Sequence, residues 1–152
     1  MSGDGGPCRA SGDATVSEIR RNMEQRVLSI GQCALDQGRI RRVFGERLGL
    51  FVGAAATASE AESLLQCRAY ALVFVNRVLD ADGSSGVSLL RDLIMRSPST
   101  PMMLVSDYED AQQLAISAGA IRGFGKATLH NAETLERVRK SLRRAEAAPE
   151  IE

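Results

Sequence analysis

Few residues in this chain combine a reactive side chain with a spacing that could do chemistry. Cys8, Cys33 and Cys67 lie far apart with no CxxC pair, and His130 is the single histidine. A zinc site requires clustered thiolates and imidazoles, so no metal is expected. Cys33 and Cys67 read instead as small buried apolar residues, Cys8 as part of a tail, and His130 as an exposed polar residue at a helix start. Asp80 and Asp82 stand in D-A-D-G, similar to the opening of a calcium loop, but the terminal glutamate of that pattern is missing. The segment reads as a turn with Gly83 at positive φ. Arg137, Arg139, Lys140, Arg143 and Arg144 make the last helix basic. They suit either a protein-docking face or the ordinary preference for cations at a helix C-terminus.

Composition narrows the options further. The chain has 152 residues, 44% hydrophobic and 25% charged, the balance of an ordinary globular domain with a sizeable core. Formal net charge is zero, so no global field draws the chain to nucleic acid or to an anionic membrane. No apolar run approaches the roughly 20 residues that span a bilayer. The opening MSGDGGPCRASGD has no apolar core of a secretory signal, which makes the cytoplasm the expected location. Residues 1–24, rich in Gly, Ser and charge, read as a flexible leader, with at most a short helix over Val16 to Met23. Residues 25–145 read as one domain and residues 146–152 as a tail closed off by Pro149.

Elements that could position a site alternate along that domain. Arg26 to Ile30 reads as a strand, followed by a helix over Ala34 to Leu48 with Ile40, Val43, Phe44 and Leu48 on one face. Leu50 to Ala54 is a second strand. Ser59 then caps a helix that turns Ala61, Leu64 and Leu65 inward, with Glu62 at the capping-box position. ALVFV, from Ala71 to Val75, is a continuous apolar strand of the kind buried on both faces of a parallel sheet. The loop NRVLDADGSSG leads to a helix carrying Val87, Leu89, Leu90, Leu93 and Ile94. MMLV follows Pro101 as a fourth strand, and a helix from Asp110 to Ala118 stops at Gly119. A strand near Arg122 to Phe124 and a helix from Ala132 to Arg144, burying Leu135, Val138 and Leu142, complete the pattern. Five strand–helix pairs in this order specify an α/β domain with a parallel sheet.

Within that frame several segments resemble those of one family. AISAGA (Ala115–Ala120) followed by Lys126 is similar to the fourth helix, fifth strand and lysine of response-regulator receiver domains. ALVFVN and the later GVSLLR (Gly86–Arg91) resemble that family's third strand and third helix. PMMLVS, ending at Ser106, resembles its fourth strand, and VLSIGQ takes the place of its first. The resemblance covers about Arg26 to Arg144. It implies a flavodoxin-like (βα)5 domain, doubly wound, with five parallel strands in the order 2-1-3-4-5. Its site would lie at the carboxyl ends of strands 1, 3 and 4.

Receiver chemistry uses an aspartate nucleophile after strand 3, which forms an acyl phosphate, and an acidic pair after strand 1 that holds Mg²⁺. The resemblance places Asn76 at the acceptor position and Gly31 and Gln32 at the acidic pair, while Ser106 and Lys126 match the hydroxyl and lysine that contact the phosphoryl group. A neutral amide is a poor nucleophile and does not attract a metal, so this reads as a degenerate phospho-acceptor site, without catalysis, metal or cofactor. Without a carboxylate beside it, Lys126 is expected to hydrogen-bond the Asn76 carbonyl and backbone, unless Asp36 or Asp107 reaches in. Ala127 replaces the usual proline after the lysine. A cis bond before alanine would cost about 2.5–4 kcal/mol, so that loop is expected to be trans. The switch aromatic of strand 5 aligns with Gly123, and Phe124 falls one position later.

The implied function is a pseudo-receiver: a signalling module of two-component, phosphorelay type that is not an enzyme. It would act through phosphorylation-independent contacts with protein partners. A homodimer through the helix 4–strand 5–helix 5 face is one form of this, with Leu114 or Ile121 exposed there. Neither nucleic acid nor membrane is an expected partner. The alternative is a flavodoxin-like domain that binds an anion or small molecule through Lys126, Ser106 and Asn76. GQCALD after the first strand is, however, no glycine- and hydroxyl-rich phosphate loop, and the chain has no tryptophan to stack a flavin.

Overall fold

The computed structural model describes residues 26–147, with side chains through Leu142. The leader over residues 1–24, its short helix, Cys8, the end of the tail and the Arg143 and Arg144 side chains lie outside what it describes. Five strands, β1 (Arg26–Ile30), β2 (Phe51–Ala55), β3 (Leu72–Asn76), β4 (Met102–Val105) and β5 (Ile121–Phe124), alternate with five helices. These are α1 (Ala34–Leu48), α2 (Ala58–Cys67), α3 (Gly86–Arg96), α4 (Glu109–Ser117) and α5 (Ala132–Ala147), with a 3₁₀ turn at Lys126–Thr128. All strand pairs are parallel and their order is β2-β1-β3-β4-β5, the flavodoxin-like arrangement the sequence implies.

Because side chains alternate across a strand, the sheet separates its apolar residues into two layers. Val27, Leu72, Phe74, Met103, Val105 and Phe124 face α1 and α5, whose Ile40, Val43, Phe44, Leu135 and Val138 close that core. Leu28, Ile30, Val73, Val75, Met102 and Leu104 face α2, α3 and α4 on the other side. Phe44, Phe74 and Phe124 meet edge-on or tilted at centroid distances of 5.0–5.5 Å, an arrangement suited to aromatic quadrupoles. Phe124 is therefore a core residue.

Local chemistry moves some predicted boundaries. Cys33 is the N-cap of α1, and its sulfur accepts the Asp36 N–H. Gly49, at φ +69°, ends α1. The α2 cap is Thr57 rather than Ser59: its hydroxyl accepts the Glu60 N–H, and the Glu60 carboxylate accepts the Ala56 N–H. Glu62 lies two residues further on and pairs with Arg96 at 3.1 Å. Cys33 and Cys67 are half-buried, not core residues, because both sit at helix ends.

The β4–β5 pairing is irregular. Met103 faces Ile121 and Val105 faces Phe124, so two steps along β4 match three along β5. The extra residue forms a bulge around Arg122 and Gly123.

Candidate functional site

The carboxyl ends of β1, β3 and β4 bring Gly31, Asn76 and Ser106 to one end of the sheet. Asn76 is 9% exposed. Its Nδ2 donates to the Gly31 carbonyl at 3.0 Å and to the Val78 carbonyl at 2.8 Å. Both amide hydrogens are thus used between two converging backbone oxygens. The Gly31 carbonyl also accepts the Asp80 N–H at 2.9 Å, which ties the β3–α3 loop to the end of β1.

That loop folds back on itself. Val78 and Ser85 form an antiparallel bridge, Leu79 N–H donates to the Ser84 carbonyl, and Gly83 adopts φ +72°. Leu79 is fully buried and packs directly on Gly31, where a Cβ would come within 2.6 Å of the leucine Cγ. Gly31 also has φ +81°, a conformation that glycine adopts at little cost. Asp80 and Asp82 are exposed, and the Asp82 carboxylate accepts from the backbone and hydroxyl of Ser84, which holds its pKa below the usual value. This is the Asx turn expected there. On the far side of the loop Gly86 opens α3, and a Cβ on it would overlap the Asn76 carbonyl oxygen.

Lys126 is drawn to α1. Its Nζ pairs with Asp36 Oδ2 at 2.7 Å, while Arg39 lies 3.6 Å from the other carboxylate oxygen and donates to the Lys126 carbonyl. Asp36 also accepts the Cys33 thiol proton at 3.4 Å. Hydrogen bonding from Lys126 is the main cause that lowers the Asp36 pKa, against partial burial that raises it. Asp36, in the first turn of α1, is therefore the acid that answers Lys126. Ser106 Oγ accepts the Tyr108 N–H, and the Tyr108 ring lies under the Arg77 guanidinium, 4.8 Å from its carbon. Asp107 Oδ1 accepts the Ala127 N–H at 3.2 Å, which fixes the turn after β5. No peptide among the described residues is cis.

The residues present do not fit a magnesium ion. A hard cation needs anionic oxygens, and the positions after β1 supply glycine and glutamine. The carbonyls of Gly31 and Val78 are engaged by the Asn76 amide. Among the described residues no group of three or more His, Cys, Asp or Glu side chains could hold a metal.

Sequence reasoning overlooked Gln112. It is 4% exposed on the inner face of α4, between Ala111 and Ala115. Its Nε2 donates to the carbonyls of Leu104 and Ser106, both at 3.0 Å, and its Oε1 accepts the Gly123 N–H at 2.9 Å. A polar residue inside an alanine stripe was the available signal. Arg137 of α5 donates to the Gly123 carbonyl at 3.2 Å. Outside the bulge, a 260 Å³ groove runs between α4, β5 and α5 and is lined in part by Glu109, Arg122, Glu133 and Arg137. Glu109 and Arg122 are ion-paired across it, and the guanidinium pulls the Glu109 carboxyl down to about 2. On this side of α4 the exposed apolar residue is Ile116, 37% exposed; Leu114 is 55% exposed but turns about 140° away from Glu109 on the helix, to the other flank, and Ile121 is half-buried.

No protein-family model matches the sequence, and no curated protein matches it. Solved structures do. The chain is similar to a CheY-like response regulator receiver domain protein from Methanospirillum hungatei JF-1 (TM-score 0.70, 20% identity, 82% of this chain and 98% of that one). It is also similar to the receiver domain of NtrX from Brucella abortus (TM-score 0.65, 20% identity, 80% and 99%). A third is the signal receiver domain of an HD domain-containing protein from Pseudomonas fluorescens Pf-5 (TM-score 0.70, 23% identity, 81% and 90%). At these identities the likeness defines the fold: the described residues have the five-stranded, five-helix arrangement of those receiver domains.

Proposed function

We propose that this chain is a receiver-like signalling module of two-component type that takes no phosphoryl group by the conventional route and works through protein–protein contact. The observation that carries this reading is the Asn76 amide. Its Nδ2 lies between the carbonyls of Gly31 and Val78, so the group in the acceptor position donates hydrogen bonds inward. An amide is a poor nucleophile toward phosphorus. Gly31 and Gln32 supply no charge for a metal, and the Lys126 ammonium is paired with Asp36 at 2.7 Å. Gly31, Gln32, Asn76, Ser106 and Lys126 together form a degenerate phospho-acceptor cluster in which Asn76, Ser106 and Lys126 are held by internal bonds, while the buried Gln32 amide has no hydrogen-bond partner. A partner, or a second copy of the chain, is then read by the α4–β5–α5 surface, where Ile116 is partly exposed beside the Glu109–Arg122 pair. An anion-binding role for Lys126, Ser106 and Asn76 is the weaker reading, because an incoming anion has to displace Asp36.

The test is incubation with a small phosphoryl donor and Mg²⁺, followed by intact mass and amide spectra. The expected result is no adduct and an unchanged spectrum. A hydroxylamine-sensitive phosphoryl adduct would overturn the proposal and identify a carboxylate such as Asp80 or Asp107 as acceptor. Shifts around Lys126 without an adduct would favour the anion-binding reading.

A further inference from the structure

The bulge in β5 breaks the ladder between β4 and β5 at the strand ends next to the Asn76 cluster. A break of this kind normally leaves backbone groups unpaired. Here one side chain supplies what the ladder lost. Gln112 donates to two β4-side carbonyls and accepts from the β5 N–H of Gly123, acting as a rung made from a helix side chain. Its amide is buried, its three bonds are 2.9–3.0 Å long, and Arg137 satisfies the remaining Gly123 carbonyl at 3.2 Å. The residue thus links α4, the end of β4 and β5 in a single contact.

We propose that Gln112 is a clamp that fixes the β4–β5 end in one arrangement, so that the α4–β5–α5 surface is set by the fold rather than by the state of the Asn76 cluster. Gln112 is a positioning residue: its hydrogen bonds all go to backbone groups, the carbonyls of Leu104 and Ser106 and the N–H of Gly123. Two β4–β5 pairings compete only if the bulge can move, and a buried three-bond anchor at its centre opposes that. The clamp stands whether or not the Asn76 cluster takes a phosphoryl group, so its test is separate from the one above.

The experiment is native-state amide exchange with amide spectra on the full chain, on Gln112→Met, which keeps the volume but neither donor nor acceptor, and on Gln112→Glu, which keeps the acceptor. In the unmodified protein, Gly123 should be protected comparably to the β3 amides. In Gln112→Met, Gly123 exchange should rise by about tenfold, the factor set by one net hydrogen bond, with line broadening confined to residues 104–109 and 121–125. In Gln112→Glu, whose second carboxylate oxygen faces the Leu104 and Ser106 carbonyls in place of the donor, Gly123 protection should fall as well. Combined with Asn76→Asp, the spectral changes should stop at the end of β4 when Gln112 is present and reach β5 and α5 when it is Met. An unprotected Gly123 in the unmodified protein would overturn the clamp, even if both variants fail to fold. So would unchanged Gly123 exchange in Gln112→Met, or a loss of protection spread evenly over β1 and β3, which would make Gln112 a general stability residue.

Discussion

The side chain at position 76 is defined by its neighbours as much as by its own chemistry. Two carbonyl oxygens converge on Nδ2, so the site needs a donor. Asn76→Asp replaces that donor with a carboxylate oxygen and sets like partial charges against each other. It should cost about 1–3 kcal/mol, read from a urea midpoint at neutral pH. An unchanged midpoint would mean that the loop after β3 simply moves aside. Lys126 gives a second prediction at this scale. The folded pKa of Asp36 lies below 3.8, so the pair's contribution to stability is present above that value and is lost as pH falls through the folded pKa. Lys126→Met removes the main lowering cause, and the Asp36 carboxyl should titrate at a higher pH by carbonyl-carbon NMR. The two residues differ in legibility. The absence of a nucleophile was readable from residue type alone. The choice of Asp36 over the Asn76 carbonyl as Lys126's partner was not, because it depends on how α1 crosses the end of β5, a contact between residues 36 and 126 that no local pattern encodes.

At the scale of elements, continuous apolar runs placed the strands, of which β1, β3 and β4 are buried on both faces of the sheet, and the 3.6 periodicity placed the helices, which bury one. The failures were at ends and irregularities. Thr57 displaced Ser59 as a cap because its hydroxyl accepts the Glu60 N–H while the Glu60 carboxylate accepts the Ala56 N–H, a reciprocal pair that Ser59 and Glu62 do not form. The β5 bulge was not read from the sequence, although Gly123 inside the strand and the one-residue displacement of Phe124 mark its place. Gly86 shows what such close approaches require. It lets α3 start against the β3 backbone, and a Cβ there overlaps the Asn76 carbonyl oxygen. Gly86→Ala should therefore cost about 3 kcal/mol or more by forcing α3 and β3 apart. Circular dichroism during thermal unfolding checks this, and a wild-type melting profile would show that the helix start yields without penalty.

Over the whole molecule, one sheet divides two cores, and both depend on it. Leu90 lies in the α2–α3–α4 layer and Phe124 in the α1–α5 layer. Leu90→Ala should cost about 2–5 kcal/mol and Phe124→Ala about 3–5 kcal/mol. In each case far-ultraviolet and near-ultraviolet signals should still change together in a single transition, since neither layer keeps a sheet face without the other. Separate transitions would show that the layers unfold independently. The outer strands are also covered from the helices. Gln37 and Arg41 reach the β2 carbonyls of Gly53 and Val52, and Arg137 reaches that of Gly123. The Arg41 and Arg137 contacts engage backbone acceptors that an edge strand would otherwise offer to another chain, whereas Gly53, like Ala55, turns its carbonyl toward β1.

Gly123 carries a consequence for how such a sequence can change. In this backbone any Cβ at position 123 overlaps the Leu104 carbonyl oxygen, so no substitution can install an aromatic side chain there while the bulge persists. Removing the bulge means deleting one residue from β5 and, in the same step, dispensing with the Gln112 contacts built around it. Position 123 is therefore closed to a side chain of any size for as long as the bulge and its Gln112 contacts hold β5 where it is.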